Sequence, residues 1–299
     1  SNNQEELSEN PVHHYDNGFC KDCDVYQPAT LNANGKYEIG NAGQLYWFAA
    51  LVNGDARVCD YNETDNPTGT KQNRAACAVL TADITVENIT VENKRIWTPI
   101  GWDESGDVYE GTFDGQFHTI KGLYYDGSAS QGIGLFSQLE RGTIQNVGVV
   151  DFSFSSTNTE FAVAGLCANN ISGTIKNCFC IGEIHSGSAG GVCANNQGYL
   201  SDCYFSGKIV DETNAGNVGG VCYTKTVSIS NCYHNIDLFP GKAIKSDSGY
   251  LAGDAFGKTT AEFASGEVAY LLQGNQSESV WGQTIGSEPY PVFSGAKVY

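Results

Sequence analysis

One repeat between residues 132 and 232 constrains the fold of this chain more than any other feature. GIGLF (132 to 136), AVAGLC (162 to 167), AGGVC (189 to 193) and VGGVC (218 to 222) follow one another at intervals of 31, 26 and 29 residues. A second column, Asn146-Val147, Asn177-Cys178, Asp202-Cys203 and Asn231-Cys232, keeps nearly the same spacing. Gly-, Asn- and Ser-rich stretches such as ANNISG and ANNQGY lie between the columns, each ahead of an apolar residue: Ile144, Ile175, Leu200 or Ile229. A fixed period of this size implies stacked units that bury their faces against neighbours. One unit reads as strand, turn, strand, bend, strand. The spacing therefore predicts a mainly β chain whose middle is a right-handed parallel β-helix, with short capping helices near both ends.

Strand alternation leaves two phases for the second column, since side chains point to opposite faces at successive residues. The first repeat carries Val147 where the others carry cysteine, so an aliphatic residue is accepted there and the column reads as interior. The Asn or Asp just before it then occupies a bend, where these residues tolerate left-handed backbone geometry. The next residues, Phe179, Tyr204 and Tyr233, face outward in that phase. The inverted phase buries the rings and exposes the cysteines, and lateral packing between coils is a further alternative.

Upstream, VLTADITV (79 to 86), IWTPIGW (96 to 102) and GTFDGQFHTIKGL (111 to 123) have strand composition and form the first coils. NAGQLYWFAALVNG (41 to 54) predicts an amphipathic helix with Leu45, Phe48, Leu51 and Val52 on one face, ended by Gly54. Thr259-x-x-Glu262 fits a capping box ahead of the helical EVAYLLQG, and a helix at an end can cover an unpaired coil edge. The expected organisation is a 1–35 N-terminal segment, a β-helix with its capping helix over 36–258, and a closing segment over 259–299.

WTPIG, YEGTFDGQFHTIKGL, the GGVC and IxNC elements and the tail TTAEFASGEVAYLLQGNQSESVWGQTIGSEPYPVF together resemble the GLUG-repeat surface proteins of gut and other bacteria. The likeness spans roughly residues 36 to 299. It implies a β-helix displayed outside the cell, secreted or held at the bacterial surface, and no single activity. The opening SNNQEELSEN lacks a signal-peptide layout, which is expected if a leader was removed.

Charge and composition narrow the partners. With 34 Asp plus Glu against 16 Lys plus Arg, the formal charge of −18 would repel a polyphosphate backbone, so nucleic acid is not expected. No apolar run is long enough to span a bilayer.

The sharpest local motif is HHYDNGFCKDC, where His14 (or its neighbour His13), Cys20 and Cys23 have a spacing suited to zinc. Asp16 or Asp24 would supply a further oxygen; a local disulfide or an unoccupied remnant is the alternative. Cys59 and Cys77 are expected to pair, closing a polar insertion without a core of its own. The ladders Cys167, Cys193, Cys222 and Cys178, Cys203, Cys232 read as interior filler, because buried cysteine behaves as a small hydrophobe. An odd total of 11 leaves at least one thiol unpaired in a monomer.

Two function classes remain. A row of aromatic faces at Phe179, Tyr204 and Tyr233 suits stacking on sugar rings or a partner protein, which predicts a noncatalytic display or adhesion module binding glycan or a host or bacterial surface protein along the coils. The alternative is a carbohydrate-active β-helix enzyme, a polysaccharide lyase or glycoside hydrolase. Only four arginines are present, Arg57, Arg74, Arg95 and Arg141. The acidic loop Asp103, Glu104, Asp107 and Glu110 reads as a solvated turn, and His118, His185 and His234 lack a nucleophile context. No catalytic residue is assigned. The sequons at Asn62, Asn88, Asn170 and Asn275 matter only in a eukaryotic secretory host.

Overall fold

A computed structural model of the chain describes residues 12–86, 95–102, 108–248 and 254–298. Asp103, Glu104 and Asp107 of the acidic loop and the sequon at Asn88 lie outside them, as do residues 1–11.

The architecture is a parallel β-solenoid. Its main sheet stacks β1 (Lys36–Ile39), β2 (Cys77–Leu80), β3 (Thr112–Lys121), β4 (Thr143–Ser156), β5 (Thr174–His185), β6 (Tyr204–Phe205), β7 (Cys232–Asn235) and β8 (Ala255–Lys258) in chain order, each parallel to the next. A second parallel sheet stacks Phe136–Leu139, Cys167–Asn170, Cys193–Asn196, Cys222–Lys225 and Ile244–Asp247. A third, short sheet joins Val163–Ala164, Ser188–Gly190 and Asn217–Gly219.

The register keeps the repeat columns in line. Val147 pairs with Cys178, Gly148 with Phe179, and Val149 with Cys180; Phe179 then pairs with Tyr204, Tyr204 with Tyr233, and Tyr233 with Phe256. Val147, Cys178, Cys203 and Cys232 are fully buried in the bore, as are Cys167, Cys193 and Cys222. Cys178, Cys203 and Cys232 repeat one contact: each thiol donates to the carbonyl two residues earlier, on Lys176, Ser201 and Ser230, at 3.2, 3.0 and 3.2 Å. Burial pushes the Cys203 thiol far up, which keeps it a protonated donor.

Asn146, Asn177, Asp202 and Asn231 all adopt left-handed geometry, with φ between 50° and 55°. The bend before the cysteine column is therefore the device that the sequence pattern predicts. The GG element has a different cause. A Cβ on Gly191 would lie 2.3 Å from the Phe205 ring, and one on Gly220 would lie 2.2 Å from His234. Those glycines let a second inward column, Val149, Cys180, Phe205 and His234, cross the bore.

α1 (Ala42–Asn53) closes the N-terminal mouth. Asn41 caps it by accepting from the Gln44 amide, and Gly54 ends it in the left-handed region at φ 71°. It is not one-sided as expected: Tyr46, Ala49 and Ala50 are buried as well as Leu45, Phe48, Leu51 and Val52. Phe48 faces the bore beside Phe113, while Phe19 and Tyr26 of the N-terminal segment cover the opposite side through Tyr46.

At the other end, α2 (Thr260–Ala264) begins with the expected capping box. The Thr259 hydroxyl accepts from the Glu262 amide, and the Glu262 carboxylate accepts from the Thr259 amide. α3 (Glu267–Gln273) and the hairpin Trp281–Gly282 with Val292–Phe293 follow. This segment folds back over the outer face of the main sheet.

Candidate cleft and thiol cluster at the N-terminal cap

The fold-back corrects the expected ligand site. Phe179, Tyr204 and Tyr233 do point away from the bore, but they are buried, with Tyr204 at 0% exposure. Phe179 stacks on Tyr204 at 5.1 Å with 6° between ring planes, and Trp281, Phe263 and Phe293 close over them. The Tyr204 hydroxyl donates to the Pro291 carbonyl at 2.6 Å. The physical reason is apolar area: three aromatic side chains in one column are better covered by the chain's own tail than left in water. In this arrangement the rings hold the tail in place and offer no face to a glycan. Of the ladder, Phe256 alone remains substantially open, at 47% exposure.

The expected disulfide is also absent: Cys59 and Cys77 are free thiols. Cys59 sits at the end of α1, with its sulfur toward the Ala50 and Leu51 carbonyls; Cys77 faces the Thr112 amide and the Ala75 carbonyl. The insertion is held by side chains instead, with Asp60 accepting from Asn66 and from the Thr70 amide.

In the N-terminal motif the structure picks His13 over His14. Phe19–Cys20 pairs antiparallel with Tyr15–Asp16, and Asn17 and Gly18 supply the positive-φ turn, at 45° and 80°. The hairpin brings His13 Nδ1 to 3.6 Å from Cys20 Sγ and 3.4 Å from Cys23 Sγ. His14 turns away and meets Asp22 at 3.0 Å. Asp16 is likewise engaged, by Lys21 at 3.2 Å. Burial pushes the Cys20 thiol up, but hydrogen bonds from the Asp22 amide, Cys23, His13 and the Cys23 amide outweigh it and bring the thiol down to about 7. Cys23 moves the other way, chiefly because it donates to Cys20.

Sequence reasoning missed a cleft of about 340 Å³ beside this cluster, where the N-terminal segment, α1 and the loop before Trp102 meet. Tyr26, Tyr46 and Trp102 line it with Asn53, Asp55 and Arg57. Asn53 fixes the Trp102 side: its carbonyl accepts from the Gly101 and Trp102 amides at 2.9 and 3.0 Å, and its amide donates to Pro99. Arg57 forks onto Asp55, donating at 3.0 and 2.6 Å, and also donates to the Tyr26 hydroxyl at 2.6 Å. That fork lowers the Asp55 carboxyl below its ordinary range and keeps the pair charged. Tyr46 is 5% exposed, and its hydroxyl finds no hydrogen-bond partner among the described residues. Burial pushes that hydroxyl up, so it stays a donor. No local pattern marks the cleft, since its residues come from three separated segments.

No family model matches the chain, and no curated protein matches it. A solved structure described as "a putative immunoglobulin A1 protease from Bacteroides ovatus" is similar at 15% identity and a TM-score of 0.46, covering 91% of this chain and 96% of that one. So distant a likeness bears on neither the chemistry nor the partners of this chain.

Proposed function

We propose that this chain is a noncatalytic module displayed outside a bacterial cell, and that it binds glycan through the cleft between Tyr26, Tyr46 and Trp102. The observation that carries the reading is the cleft itself. It brings the aromatic side chains of Tyr26, Tyr46 and Trp102 together with an Asp55–Arg57 fork fixed at its side. Sugar rings ask for that mixture: a flat apolar face to stack on, and a few oriented polar groups to set direction. The resemblance to GLUG-repeat surface proteins supports the extracellular setting. The solenoid then acts as a stiff support that presents its N-terminal cap.

A glycan array, followed by titration of the best ligand, tests this. Trp102→Ala should weaken binding by on the order of tenfold or more, as loss of an aromatic anchor does. Binding that is unchanged in Trp102→Ala and in Tyr26→Ala would remove the cleft from the reading. Release of cleaved product from any bound polysaccharide would replace it with the carbohydrate-active enzyme.

A further inference from the structure

Cys20 and Cys23 approach His13 in a geometry that a hairpin does not need for its own stability. A tetrahedral ion with metal–sulfur bonds of about 2.3 Å and metal–nitrogen bonds of about 2.0–2.1 Å places its sulfur and nitrogen donors roughly 3.6 Å apart. The His13 Nδ1 distances to the two sulfurs are 3.6 and 3.4 Å, and all three donor atoms lie within 4.8 Å of one another. The surrounding backbone also suits a metal-bound thiolate, because the Asp22 amide donates to Cys20 Sγ at 3.4 Å. Such outer contacts hold a ligating sulfur in place before the ion arrives.

We propose that His13 Nδ1, Cys20 Sγ and Cys23 Sγ bind one zinc ion, with the fourth position open toward a small pocket bordered by Asp24, Arg57 and Arg95. Binding exchanges two thiol protons, released to solvent, for one divalent ion, and the neutral imidazole supplies the third bond. No oxidant is consumed. Two thiolates cancel the charge of the ion, Arg57 is already paired with Asp55, and Asp24 lies beside Arg95 at the same pocket, so a neutral water suits the fourth position. That pocket measures about 70 Å³, enough for a ligand of that size.

The ion has a structural consequence. His13 precedes the hairpin and Cys23 follows it, so one metal closes the loop that carries Phe19 and leads into Tyr26. Phe19 and Tyr26 both pack on Tyr46, at 5.2 and 5.7 Å between ring centroids. Zinc would thus clasp the N-terminal segment against α1 and set the Tyr26 wall of the cleft. The clasp does not depend on what the cleft binds.

The test uses the full chain, reduced and freed of reductant without air, titrated with Co²⁺ and then with Zn²⁺. One equivalent of Co²⁺ should give thiolate charge-transfer absorption and the visible bands of a tetrahedral ion, which Zn²⁺ then removes. Cys20→Ser and Cys23→Ser should each abolish the bands. His13→Ala should cost more than the roughly 10–100-fold that loss of an outer-shell contact costs. His14→Ala should bind as the parent does. Unchanged far-UV circular dichroism in the variants confirms that the solenoid is intact. The proposal is overturned if the reduced parent shows no such bands, or if His14→Ala loses them while His13→Ala keeps them.

Discussion

Truncating Tyr204 should destabilise the chain without touching ligand binding. Tyr204 is 0% exposed, stacks on Phe179 and donates to the Pro291 carbonyl, 87 residues further along. Removing a buried aromatic ring costs about 3–5 kcal/mol, cavity included. Tyr204→Phe keeps the ring but leaves a buried carbonyl unpaired, which costs about 1–3 kcal/mol. With a urea slope of about 3 kcal/mol per molar and unfolding in one step, the midpoint should fall by roughly 1–1.7 M for Tyr204→Ala and 0.3–1 M for Tyr204→Phe. Limited proteolysis should also cut the segment after α2 faster in Tyr204→Ala, because that segment loses its anchor. Any glycan binding at the proposed cleft should stay at parental strength, since the cleft sits on the N-terminal cap. The reasoning fails if Tyr204→Ala keeps its urea midpoint and its protease resistance. If it keeps both and loses glycan binding, the rings are an open ladder after all.

Other perturbations test different parts of the molecule. Asn170, buried at 0% exposure, donates to Asn196 Oδ1 at 2.8 Å and accepts from the Gly173 amide at 2.9 Å; Leu139 holds the matching place one coil earlier. Asn170→Leu should therefore fit in shape yet lower the denaturation midpoint by the equivalent of about 1–3 kcal/mol, as unpaired buried groups do. An unchanged midpoint would mean that the asparagine ladder is dispensable. The Glu262 carboxyl is held below the usual range first by the Thr259 amide, then by the Thr259 hydroxyl and Lys258. A depressed carboxyl contributes stability above its unfolded value of about 4.3, and that stability is lost as pH falls through the folded value. Protease resistance of the C-terminal segment should accordingly drop below about pH 4, with a smaller drop in Glu262→Gln, whose amide oxygen can still accept from Thr259. An equal drop in both proteins would assign the acid sensitivity elsewhere.

Much of the solenoid was legible in the residues themselves. A coil of this kind repeats its chemistry at every turn, so Val147 in place of cysteine and the Asn or Asp before it were enough to phase a strand. Local rules also gave the Asn41 to Gly54 helix and the Thr259 box, since a cap is satisfied within one turn. The GG elements were visible as a pattern, but their cause was not: the rings of Phe205 and His234 approach them from another sheet.

Most of what only the tertiary structure decided has one physical origin, contact between segments far apart in the chain. The aromatic column points outward as the alternation requires, but whether it meets water depends on Phe263, Trp281 and Pro291, which no period of the repeat encodes. The choice of His13 over His14 rests on the twist of a two-strand hairpin, where one residue's difference reverses the side-chain direction. The cleft needs Tyr26, Tyr46 and Trp102 at once, and their convergence is a property of how the N-terminal segment lies on α1. The repeat set the shape of the coil; non-local packing settled which of its surfaces remain available.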